Sequence, residues 1–163
     1  MCYAATSAAG CSNPFKSGWA LNLLKPVGDP VVGIAERERV VSFPLVRQGV
    51  VIFATLIPDP EPCKSGGKSW LMTIDALGGG EFGGAPFDTN GDGVVDSNDF
   101  VMINGVSRAA SGADLEVGIH KTPAIVESTS SADFGKVSGS SGIGEMTFSR
   151  DRSGIRRSWR QLK

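Results

Sequence analysis

Long hydrophobic runs are missing from this chain. Nowhere do about 18 or more apolar residues follow one another, so the sequence offers no membrane-spanning helix. A basic-then-apolar leader is missing from the N-terminus too, and if the protein is secreted its signal lies outside these residues. Histidine occurs once, as His120, and the three cysteines Cys2, Cys11 and Cys63 form no Cys-x-x-Cys pair, which leaves no ligand set for a structural zinc. Excess charge is missing as well. A formal net charge of −1 gives no long-range field for nucleic acid or an anionic membrane surface. Aromatics make up only 7% of the chain, whereas glycine is abundant, at 22 of 163 residues. That balance argues against a helix bundle and for a mainly β, antiparallel, loop-rich architecture in one domain or in a piece of a larger one.

Apolar patterning agrees. The run Gly49-Val50-Val51-Ile52-Phe53-Ala54-Thr55-Leu56-Ile57-Pro58 is continuous and β-branched, and predicts a strand buried on both faces. Ser69-Trp70-Leu71-Met72-Thr73-Ile74-Asp75-Ala76 predicts its hairpin partner across a Pro/Gly-rich loop. Further strands are expected at 18–24, with Trp19 as a core residue and a loop after it at 25–30, and at 115–119, 124–127, 135–138 and 145–149. Residues 36–44 read as extended, and 97–104 as one helical turn capped by Ser97 or Asn98 and ended by Gly105. Gly66-Gly67-Lys68-Ser69 lacks the first glycine of a phosphate-binding loop. Three cysteines allow one disulfide and a spare thiol. Cys11 with Cys63 is the preferred pair, because Cys2 sits at a terminus that frays, although pairing through Cys2 stays open. His120 has no nucleophile or carboxylate at a telling spacing and reads as a surface or strand-end residue; no catalytic constellation stands out, and the chain reads as non-enzymatic.

One stretch carries chemistry. In Asp88-Thr89-Asn90-Gly91-Asp92-Gly93-Val94-Val95-Asp96-Ser97-Asn98-Asp99, oxygen side chains fall at loop positions one, three, five and nine, and Gly93 stands at position six, where the chain must turn. Calcium takes six to eight oxygens at roughly 2.3–2.6 Å, and a short loop wraps it only if alternate residues point inward. Asp88, Asn90, Asp92 and Asp96 meet that demand, with the main-chain carbonyl of Val94 as a fifth donor. The alternative is a solvated Asx/Gly turn between two strands, which does not need the repulsion of four carboxylates in twelve residues that a cation would remove. At position twelve a paired-helix calcium sensor carries a bidentate Glu, whereas this chain has the shorter Asp99. The glycines and Pro86 just upstream disfavour a preceding helix, so the loop is expected between strands, EF-hand-like in its ligands only.

The order of several pieces carries a family likeness. Gly18-Trp19, Glu36-Arg37-Glu38-Arg39-Val40-Val41, the apolar run from Gly49 to Pro58, Cys63, Gly66-Gly67, Ser69-Trp70, Asp75-Ala76-Leu77, the acidic loop and Ser158-Trp159-Arg160-Gln161-Leu162 together resemble the C-terminal part of the PilY1 family of type IV pilus tip and assembly proteins. The resemblance implies that 1–163 is a single C-terminal fragment forming the terminal blades of a modified β-propeller, with 88–99 as its calcium loop and 150–163 as a closing tail. It implies Ca2+ bound by Asp88, Asn90, Asp92, Val94 through its carbonyl, and Asp96, with Asp99 in a supporting position. It also implies a place at the cell surface, on the pilus tip or outer membrane, reached by way of the periplasm. The implied partners are minor pilins, host or surface ligands and the remaining propeller, with a role in pilus extension, retraction and adhesion. A dockerin-like module is the alternative, since Asp-x-Asn-x-Asp-Gly-x-Val-x-x-x-Asp is also a dockerin pattern, but dockerins repeat it and follow each copy with a helix.

Overall fold

A computed structural model describes residues 18–27, 32–61, 63, 66–103, 105–128 and 132–149. The stretch 1–17, with Cys2 and Cys11, the middle of the loop expected at 25–30, and the tail 150–163 lie outside the described residues. In chain order the strands are β1 (Lys25–Val27), β2 (Val32–Ile34), β3 (Arg39–Val40), β4 (Leu45–Arg47), β5 (Val50–Pro58), β6 (Gly67–Lys68), β7 (Trp70–Asp75), β8 (Phe100–Ile103), β9 (Val106–Ala109), β10 (Gly112–Asp114), β11 (Ala124–Val126), β12 (Ala132–Ser138) and β13 (Ile143–Ser149). All pairings among the described residues are antiparallel. Among the described residues the sheets stay open rather than closing into a barrel. No helix among them is long and apolar enough to cross a membrane.

The long apolar run forms a strand, as expected, and the first sheet is built around it. β5 pairs with β7 along its first half and is joined by β4, β3 and β6 at successive stretches of its length, while β10 extends the sheet beyond β7. Ile52, Phe53, Ala54 and Thr55 are buried in succession, so both faces of β5 are covered. Gln48 and Gly49 both have positive φ, which gives the two-residue turn that joins β4 to β5 a twist matching the strands. A second sheet, β11-β12-β13, packs on the first. Ile52 and Leu71 from one sheet meet Phe148 of the other, and Phe87 sits among them, fully buried, with its ring 5.6 Å from that of Phe148 and tilted by 56°. Arg47 of β4 donates from Nη2 to the buried Asp133 carboxylate of β12 and, at 3.1 Å, to Glu127, which ties the two sheets by charge as well as by packing.

Several local expectations are corrected. Residues 18–24 form no strand; the chain pairs only from Lys25 onward, where a loop was expected. Trp19 explains this, because its indole N–H donates to the Ala76 carbonyl at 3.0 Å and its ring lies against Gly79, which docks the segment through a side chain rather than a ladder. The helical turn expected over 97–104 is cut to a 3-10 turn, Ser97–Asp99, capped by Asp96, and β8 begins at Phe100. Residues 115–119 form no strand, 116–119 being bends with Glu116 and Gly118 at positive φ, and the strand falls earlier, as β10. His120 is not a surface residue. It is 2% exposed, bridges to Gly139 and donates its backbone N–H to Ser69 Oγ at 3.1 Å.

Candidate metal loop

The 88–99 segment leaves the core at one point and returns to it at another. At its start, Pro86 and Phe87 lie against β13: Ser149 N–H donates to the Pro86 carbonyl at 3.1 Å, Asp88 N–H donates to Thr147 at 3.0 Å, and Phe87 bridges to Phe148. At its end Asp99 is fully buried and β8 follows. The residues between, Asn90 to Val94, are exposed.

Side-chain oxygens shape the loop by accepting from its own backbone. Asp88 accepts from Gly91 N–H at 2.6 Å and from Gly93 N–H at 2.7 Å. Asn90 accepts from Asp92 N–H, and Asp92 from Val94 N–H, each at 2.8 Å, as successive Asx turns. Asp96 accepts from Asn98 N–H at 2.7 Å, capping the 3-10 turn. Gly91 and Gly93 stand at φ 79° and 83°, a region L side chains rarely adopt, which accounts for glycine at both positions.

Asp99 behaves differently from the other acidic residues. One carboxylate oxygen accepts from Thr89 N–H at 2.6 Å and Asn90 N–H at 3.3 Å, the other from Asp96 N–H at 2.8 Å. The Thr89 hydroxyl donates to the Asp99 main-chain carbonyl at 3.0 Å. Burial by itself raises the carboxyl pKa, but the N–H groups of Asp96, Thr89 and Asn90 and the Thr89 hydroxyl together outweigh it and hold the group below the ordinary carboxylate range. Nearby, Glu81 accepts from Ala109 N–H at 2.8 Å and from the Arg108 guanidinium at 3.0 Å. Those two donors hold Glu81 below its usual value and tie the glycine-rich stretch before the loop to β9.

The donor set suits a hard cation. It is all oxygen, and a carboxylate oxygen that accepts one N–H keeps a lone pair for a metal. Among the described residues no three His, Cys, Asp or Glu side chains converge into a ready cage. Coordination by Asp88, Asn90, Asp92, Asp96 and the Val94 carbonyl therefore requires the exposed tip to draw inward. Phe87 and Thr89 were not singled out from the sequence, although an apolar residue just before the first Asp is a readable sign of a loop anchored on a core. Cys63 is exposed and forms no bridge to another described residue; its expected partner Cys11 lies outside them.

Mainly antiparallel open sheets with one acidic loop set between strands define the class. No family model matches the chain. It is 29% identical over 99 residues to the type IV pilus biogenesis factor PilY1 of Pseudomonas aeruginosa, a match covering 61% of this chain and 8% of that protein. To the type IV pilus biogenesis factor PilY1 homolog of Xylella fastidiosa it is 38% identical over 66 residues, which cover 40% of this chain and 4% of that protein. The matched segments thus span under a tenth of these curated relatives. The fold is similar to the crystal structure of the Pseudomonas aeruginosa PilY1 C-terminal domain, with a TM-score of 0.57 and 21% identity over 72% of this chain and 21% of that one. Within that class the chain is similar in sequence to PilY1 proteins over part of its length, and in fold to the PilY1 C-terminal domain.

Proposed function

We propose that the chain is a calcium-binding, non-enzymatic part of a type IV pilus biogenesis and adhesion protein, built as terminal blades of a modified β-propeller, in which calcium occupancy regulates pilus extension and retraction. The observation that carries this reading is the loop. Five oxygen donors alternate along an exposed segment whose two ends are fixed in the core beside β8 and β13, so a cation can order the tip on a standing base. The names of the sequence relatives support a pilus role. By that reading the protein acts at the cell surface, on the pilus tip or outer membrane after periplasmic passage. It meets minor pilins, host or surface ligands and the rest of its own propeller. The dockerin-like alternative needs a helix after the loop, and β8 stands there instead.

In the proposed switch the cation offsets repulsion among the carboxylates and orders the tip, and its loss lets the tip relax. Ligand linkage predicts that calcium raises the melting temperature of the wild type, whereas Asp92→Ala, which removes one donor from the middle of the loop, shows a much smaller rise and weaker binding. Calcium titration followed by calorimetry and thermal melting checks this. Equal affinities and equal melting shifts in the two proteins would sink the reading.

A further inference from the structure

We propose that Asp99 is a clasp that closes the loop independently of the cation and presents Asn90 and Asp96 to it, rather than a ligand; the ligand-presenting half of this proposal rests on the calcium reading above. Asp99 is the one acidic residue of the loop that is fully buried. Its donors come from both ends of the segment: Thr89 and Asn90 at the start, Asp96 near the finish. Two of those three N–H groups belong to residues whose side chains are proposed ligands. The backbone that aims those side chains is therefore held by Asp99. Thr89 completes the closure, since its hydroxyl reaches both the carbonyl and the carboxylate of Asp99, at 3.0 and 3.2 Å.

An aspartate at position twelve now has a physical reason. Its carboxylate lies one methylene nearer its own backbone than a glutamate's, within reach of N–H groups on both sides of the loop. With the ends clasped, loss of the cation frees the tip from Gly91 to Val95 and leaves the base in place. The calcium response becomes a local ordering of a few exposed residues, and β8 is presented in both states.

The test uses the full chain, with and without chelator, as wild type, Asp99→Asn and Thr89→Val. Asparagine keeps the shape of the side chain but sets an N–H2 donor where a carboxylate oxygen accepted. Amide hydrogen exchange in chelator is expected to show Thr89, Asn90 and Asp96 protected in the wild type, less so in Thr89→Val, and exposed in Asp99→Asn. The calcium Kd of Asp99→Asn is expected to rise roughly 10–100-fold, the usual effect of losing a residue that supports metal ligands. Europium luminescence lifetimes should report the same number of metal-bound waters in wild type and variant. Unprotected amides in the metal-free wild type, an unchanged Kd in Asp99→Asn, or an extra water on europium in that variant would each overturn the proposal. Should the wild type bind no calcium, the calcium reading and the ligand-presenting half fall together, while amide protection in chelator still judges the clasp. Thr89→Val keeps that judgement available if Asp99→Asn does not fold.

Discussion

Two buried carboxylates in this protein are held in different ways, although each accepts at least one backbone N–H, that of Ser128 reaching Asp133 at 3.1 Å. Asp133 sits between the two sheets and faces a guanidinium, that of Arg47, from a strand 86 residues away in sequence. Asp99 sits under the loop and receives backbone N–H groups from within ten residues of itself. The first arrangement ties distant layers together with a counter-charge. The second fixes a local shape with dipoles. A carboxylate paired with a cation has met its charge, whereas one satisfied by amides keeps the region negative, and the cation binding proposed for the loop benefits from the second kind.

The sharpest way to break this contrast is Arg47→Ala. Taking the counter-charge from a buried carboxylate costs about 3–5 kcal/mol, and the loss should appear as a lower urea midpoint that added calcium does not restore. A calcium-rescued Arg47→Ala would mean that the two regions are not independent. A smaller effect is expected from Gly93→Ala in the loop. A Cβ there meets nothing within 4 Å, so only the positive φ is strained, at about 1–2 kcal/mol. Because the tip moves without the base, chemical denaturation in chelator should register less than that, and calcium binding should register more.

Glu81→Gln should have the smallest effect and sharpens the contrast through pH. Glu81 is held below its ordinary value by Ala109 N–H and Arg108, so its contribution is present above the unfolded carboxylate value and is lost as pH falls through the lowered folded one. Wild type and variant should therefore differ in stability near neutrality and converge in acid, as followed by denaturation at a series of pH values. A difference that grows toward low pH would contradict this.

The sequence made some of this readable and hid the rest for definite reasons. β5 and β7 were legible because burial on both faces leaves a continuous apolar run, and the loop was legible because its oxygens keep a fixed spacing. β8 was misread because Ser97 and Asn98 are good helix caps, yet the turn they start ends after Asp99, where Phe100 enters a ladder with Ala109. The strand expected over 115–119 failed at Glu116, whose positive φ its residue type does not announce. The burial of His120 and the pairing of Arg47 with Asp133 depend on sheets that meet only in three dimensions, and no local pattern encodes either. At the loop, Asp99, which the resemblance leaves out of the ligand set, is the acidic residue most deeply buried and accepts N–H groups from both ends.

The bonds from Asp88 to Thr147 and from Ser149 to Pro86 also set a timetable. On a ribosome the acidic loop emerges well before β13, yet its base is completed only when residues 147–149 arrive, and contacts between such distant parts of a chain form late. Until then the 88–99 segment is an unanchored run of carboxylates that a cation cannot hold in one shape. The site proposed for calcium is thus a late product of folding, and its base reports that the last described strand has been laid in place.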